Sequence, residues 1–150
     1  MTSHLKENIV GGWELESYLE TDIETGRSIE PYGPHAGGFI LYTPDGYMSA
    51  QIQALNRRSF EKDDMFRGKP EEYVASASTY LAYSGRYRVD ELGKRVIHNV
   101  AVSLFPNWVG LEQSRLAELR DDRLRLSFEK LIRFNGALKT ATLTWRRLPS

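Results

Sequence analysis

The sequence contains no cysteine, so no disulfide can brace the fold and no thiolate can hold a metal. That suits a reducing compartment, and a cytoplasmic location is the expectation. Neither sign of charge is in excess, since 20 Lys and Arg balance 20 Asp and Glu. With no basic tail and no long basic run, neither a nucleic acid nor a membrane is an expected partner. No apolar stretch approaches the roughly 18 residues of a spanning helix, and MTSHLKENIVGGWEL has no apolar run of signal-peptide length. The P-loop, the dinucleotide-binding glycine pattern and the Gly-x-Ser-x-Gly elbow are missing too, which removes whole classes of enzyme. His4, His35 and His98 are too scattered for a metal motif, and Asp63 and Asp64 read as a solvated loop pair. Neither a metal nor a cofactor is expected.

What the chain has is alternation. In GGFILYTPDGYMSAQI, Pro44, Asp45 and Gly46 suit a tight turn in which Gly46 takes the left-handed conformation. Thr43 then faces Tyr47, and Tyr42/Met48, Ile40/Ala50 and Gly38/Ile52 share one apolar face that mixes small and large residues. Such a face suits a cavity lining better than a solid core. WELESYLET separates Trp13, Leu15, Ser17 and Leu19 from Glu14, Glu16, Tyr18 and Glu20, a half-buried strand. The runs YSGRYRV, VIHNVAVS, LEQSRLAEL, RLRLSFE and LKTATLTWRRL alternate likewise, giving eight strands with the opening hairpin. PEEYVASASTYLA departs from the pattern. Pro70, the acidic first turn and helical spacing of Tyr73 or Val74, Ala77 and Tyr80 or Leu81 predict one short helix near residues 70–81. The charged segment before it reads as a long loop.

At 150 residues the chain can bury a core unaided, and one domain over residues 1–150 is expected. Eight mainly antiparallel strands are best accommodated by closure, which removes exposed edges and encloses space for side chains or one small ligand. The expected fold is an all-β, eight-stranded barrel with one short helix.

Gly11, Gly12 and Trp13 resemble the Gly-x-Trp signature of lipocalins, and Arg146 or Arg147 resembles the Arg packed over that Trp. The ordered stretches PYGPHAGGFILYTPDGYMSAQI, YLAYSGRYRVDE and VIHNVAVSLFPNWVG, followed by Gln113 and Arg115, resemble the lipocalin-like domain of small bacterial and fungal proteins, a calycin-type barrel. The resemblance implies a lipocalin-like β-barrel around a ligand pocket and supplies no agreed catalytic motif. The disulfides and leader of secreted lipocalins are missing, so extracellular transport is not carried over.

Pairing across the DELG turn sets Val89 against Val96, Tyr87 against His98, Gly85 near Val100 and Tyr83 near Val102. A pairing of Val102 with Leu111 then brings His98 beside Arg115, and the next hairpin sets Leu119 against Leu124 and Arg115 by Phe128. Tyr87, His98 and Arg115 thus form a polar stripe on an apolar wall, with Gln113 one step along. An Arg in a cavity calls for an anionic or carbonyl partner, and a His could move a proton near neutral pH. These side chains also have a purely structural reading, with His98 satisfied by a neighbouring hydroxyl and Arg115 paired with a carboxylate. Trp108 could rim the mouth or plug it.

Three functions stay open. The first is an intracellular protein binding a hydrophobic or aromatic small molecule through Tyr42, Met48, Tyr83, Tyr87, His98, Trp108, Gln113 and Arg115. The second is a cofactor-independent isomerase or cyclase acting on a polyketide-like or terpenoid intermediate, with His98, Tyr87 and Arg115 catalytic. The third is a scaffold or homodimer joined through an outer strand face such as Ile97 and Ala101.

Overall fold

The computed structural model describes residues 4–134 and 136–150, with the backbone alone at Phe134. In chain order the elements are α1 (Leu5–Ile9), β1 (Gly11–Asp22), β2 (Ser28–Ile29), β3 (Gly37–Tyr42), β4 (Tyr47–Gln53), α2 (Pro70–Ser78), β5 (Tyr80–Asp90), β6 (Arg95–Ser103), a 3-10 turn (Pro106–Trp108), β7 (Glu112–Arg120), β8 (Arg123–Phe128), β9 (Ile132–Phe134) and β10 (Ala137–Arg147). The pairing runs β1-β3-β4-β5-β6-β7-β8-β10, and β10 returns to β1, so eight antiparallel strands close a barrel as expected. The short β2 and β9 extend this ring on β1 and β10. The helix expected near residues 70–81 is α2, nine residues long. Pro70 starts it, and the Glu72 carboxylate accepts the backbone N–H of Lys69 at 2.8 Å. None of its residues is buried, so it lies on the barrel rather than in it. The five-residue α1 was not anticipated. No helix among the described residues is long and apolar enough to cross a membrane.

One end of the barrel is shut. The backbone N–H groups of Leu5 and Lys6 donate to the Glu91 carboxylate at 3.1 and 3.0 Å, which pins α1 to the β5–β6 turn. Trp13, fully buried, donates its indole N–H to Ile9 O at 2.9 Å. Of the two arginines considered for the lid, Arg147 fills the role: its guanidinium lies 4.2 Å from the Trp13 ring centroid and donates to the carbonyls of Val10 and Asn8. The β3–β4 and β7–β8 turns share this end. At the other end lie the connections after β1, β4, β6 and β8.

The opening hairpin has the expected register, Tyr42 against Met48 through Gly38 against Ile52, with Gly46 at φ 98°. Its inward face is packed solid at the shut end, where Tyr42 and Met48 belong to the core.

Bulges account for two departures from expectation, the inward phase of β1 and the register of β5 on β6. The β1–β10 register shifts between Leu15 and Ser17, so Trp13 and Leu15 point inward before the shift and Tyr18 and Glu20 after it. Ser17 and Leu19 therefore leave the inner face, Leu19 being 42% exposed. On β5 a second shift between Ser84 and Gly85 pairs Tyr83 with Ser103 instead of Val102, which lies exposed. Gly85 is required there, because a Cβ would meet Asn99 O at 1.8 Å.

β6 and β7 pair two residues out of the expected alignment, with Val96 facing Arg115 and His98 facing Gln113. A two-residue slip keeps every side chain on its own face while changing its neighbours. Ile97, on the outer face, is already covered and sits between its cross-strand partners Arg88 and Ser114.

Candidate functional site

The cavity on the inner face combines aromatic bulk with the Arg115 cation. Tyr18 on β1, Tyr83 on β5, Gln113 and Arg115 on β7, Phe128 on β8 and Trp145 on β10 all reach a small interior cavity of about 30 Å³. That is room for a water or two, because side chains fill the axis below. The cavity shares Leu81, Trp108, Gln113 and Arg115 with a wide depression of about 1230 Å³ at the open end. A drug-sized molecule fits the depression and not the cavity. Trp108 stands where the two meet, edge-on to Tyr83 at 5.7 Å and to Phe105 at 5.5 Å.

Arg115 is half-buried at this junction. Its guanidinium donates to Gln113 Oε1 at 2.8 Å and to Ser114 O at 3.2 Å, and lies 4.1 Å from the Phe128 ring centroid. Among the described residues no carboxylate comes within ion-pair distance of it. Two of its five N–H donors are occupied, so several stay available to a ligand.

His98 lies deeper, with no exposed surface. The Tyr42 hydroxyl is 2.8 Å from its Nε2 and the Tyr83 hydroxyl 2.9 Å from its Nδ1. Burial, with the Arg115 charge adding to it, pushes the imidazole pKa down to about 3. The ring is therefore neutral at physiological pH, held between hydroxyls as the structural reading of the sequence foresees. Burial raises the pKa of Tyr42 and Tyr83, so both phenols stay protonated.

The expected stripe is thus divided. Tyr87 pairs with His98 across the strands, but its hydroxyl donates to Thr43 O at 2.6 Å at the shut end. Tyr42, Met48, Tyr87 and His98 sit below the cavity, whereas Tyr83, Trp108, Gln113 and Arg115 form its wall or mouth.

Sequence reasoning missed Tyr18, Phe128 and Trp145 as cavity residues. Tyr18 reaches the wall only because β1 slips phase, and the sequence signal was available: Trp13, Leu15, Tyr18 is a more apolar inward set than one continued through Ser17. The Trp145 indole N–H is buried with no hydrogen-bond partner among the described residues. Towards the open end of β1 and β10, Glu20 and Lys139 form a buried ion pair at 2.8 Å. No group of three or more His, Asp or Glu side chains among the described residues could hold a metal ion.

Comparison with known proteins follows this geometry. The chain is 36% identical over 108 residues to the 4'-hydroxy-3'-methoxypropiophenone carrier protein ppsC of Aspergillus oryzae, a match spanning 68% of this chain and 97% of that protein. Among solved structures, an uncharacterized protein from Bacteroides eggerthii superposes with a TM-score of 0.46 at 14% identity, over 93% of this chain and 99% of that one. A family model described as a lipocalin-like domain matches residues 10–148. Because that match takes in every strand from β1 to β10, the chain belongs to the lipocalin-like domain family.

Proposed function

We propose that this protein binds and carries a small aromatic molecule bearing an acceptor oxygen, such as a ketone, phenolate or carboxylate. The observation that carries the reading is Arg115, a cation at the cavity junction with no carboxylate partner among the described residues and a ring beneath it. Leaving such a charge half-desolvated is unfavourable unless a ligand oxygen or water completes its hydrogen bonds. Trp108, which borders both the cavity and the depression, supplies flat apolar surface on which an aromatic ring can rest. The name of the Aspergillus oryzae relative, a carrier of an aryl ketone, points to the same chemistry.

The ligand's ring lies in the outer depression, and only its polar end enters the cavity, since the inner space is small. An isomerase or cyclase working through His98 draws less support, because that imidazole is neutral and sealed from solvent. The proposed setting is the cytoplasm. The test is native mass spectrometry of protein purified from its own host, with extraction of any bound metabolite. An aromatic ketone, phenol or acid recovered at near-unit occupancy supports the reading. An aliphatic lipid, or a metabolite released chemically altered on incubation, would overturn it.

A further inference from the structure

The Tyr42–His98–Tyr83 chain has a direction. A neutral imidazole offers one N–H donor and one bare acceptor nitrogen. With a hydroxyl 2.8 Å from Nε2 and another 2.9 Å from Nδ1, one tyrosine gives its proton to the ring. The other receives the ring's proton and keeps its own to donate elsewhere.

The two arrangements are not equivalent. If Tyr42 held the spare proton, that proton would be stranded in the packed shut half, where the imidazole is the hydroxyl's only hydrogen-bond partner among the described residues. A buried donor left unmet is costly. Tyr83, by contrast, belongs to the cavity wall that also carries Arg115. Its spare proton has somewhere to go. The favoured arrangement is Tyr42 O–H to Nε2, then Nδ1–H to Tyr83 Oη, then the Tyr83 proton into the cavity.

We propose that Tyr83 is a specificity-determining residue which donates its hydroxyl proton to a carbonyl oxygen of the ligand, with His98 and Tyr42 as positioning residues that fix the direction of that donor. This rests on the carrier reading and narrows its ligand class. The rest of the wall agrees. The indole N–H of Trp145 lies there without an acceptor among the described residues, and the carbonyl of Gln113 is already taken by Arg115. The Tyr83 oxygen already accepts from the imidazole and presents its proton to the cavity, an arrangement that suits a ketone, which only accepts. The corresponding alcohol must turn its own proton away from Tyr83, which favours the ketone.

The test compares para-hydroxyacetophenone with the alcohol obtained by reducing its carbonyl, titrated calorimetrically into wild type and Tyr83→Phe. The wild-type protein should prefer the ketone by about tenfold, on the order of one hydrogen bond, and the variant should bind the two about equally. Nitrogen NMR of the wild-type protein should find the His98 proton on Nδ1. A proton on Nε2 overturns the proposal whatever binds. Equal wild-type affinity for ketone and alcohol, with Arg115-dependent binding of para-hydroxybenzoate retained, ends this proposal and leaves the carrier reading standing. Failure to bind any of the three probes ends both.

Discussion

The carboxylate of Glu20 meets the ammonium of Lys139 at 2.8 Å across β1 and β10, with the two side chains 1% and 9% exposed. The pair exists because the bulge near Glu16 turns Glu20 inward on a strand whose earlier alternation would have left it in water. Removing one partner strands a buried charge. Glu20→Leu and Lys139→Met should each cost about 3–5 kcal/mol, while the two combined should recover most of the loss. Urea denaturation of the four proteins closes the cycle, and single variants as stable as wild type would mean that the pair is solvated.

Trp13 should be the largest single packing contribution at the shut end. It is fully buried, hydrogen-bonded to Ile9 and covered by Arg147. Trp13→Ala should lose roughly 3–5 kcal/mol. Arg147→Ala should lose less, since its contacts are partly exposed. Thermal melting of both variants checks the order, and a wild-type melting temperature for Trp13→Ala would contradict it.

His98 makes the fold sensitive to mild acid. Its folded pKa is held near 3, whereas in the unfolded chain it lies near the ordinary value of 6.5. Between those values the unfolded chain takes up a proton that the folded one refuses. The stability is therefore present above about pH 6.5 and drains away as the pH falls towards 3, by at most about 1.4 kcal/mol per pH unit. From pH 6.5 to pH 5 the loss from this residue should be roughly 2 kcal/mol. The variant His98→Gln should start less stable and show a correspondingly flatter pH dependence by urea titration. Parallel slopes in the two proteins would assign the acid sensitivity to other groups.

Arg115→Met should leave the barrel intact, because similar volume is kept and a half-buried charge is removed. Affinity for para-hydroxybenzoate should fall by about 1.5–3 kcal/mol, the range for a charge-assisted hydrogen bond. Calorimetric titration measures it, and unchanged affinity would move the anchor elsewhere on the wall.

Much of this protein is dictated locally. Strict alternation, the Pro44-Asp45-Gly46 turn and the Pro70 helix start depend only on near neighbours, and they specify eight strands, most of the inward faces and the site of α2. The Arg from the chain end over Trp13 came from the resemblance to lipocalins rather than from local pattern. Phase slips could not be read so directly. A bulge adds one residue to one strand, and whether it forms depends on what the partner strand offers, as Lys139 does for Glu20 and the Asn99 backbone does at Gly85. The slip of two residues between β6 and β7 is invisible to an argument from faces, since both alignments keep the same residues inside. Only closure of the barrel chose between them. It placed Gln113 rather than Arg115 opposite His98 and assigned His98's hydrogen bonds to Tyr42 and Tyr83. The slip set Arg115 against Val96, two residues nearer the shut end than the expected partner, and its guanidinium reaches the cavity beside Gln113 and over Phe128 as the β7–β8 hairpin requires. Which residues point inward was thus written in the sequence. Their cross-strand neighbours, which seal the imidazole between two tyrosines and leave the cation at the cavity, came from the register of strands that meet only in the folded state.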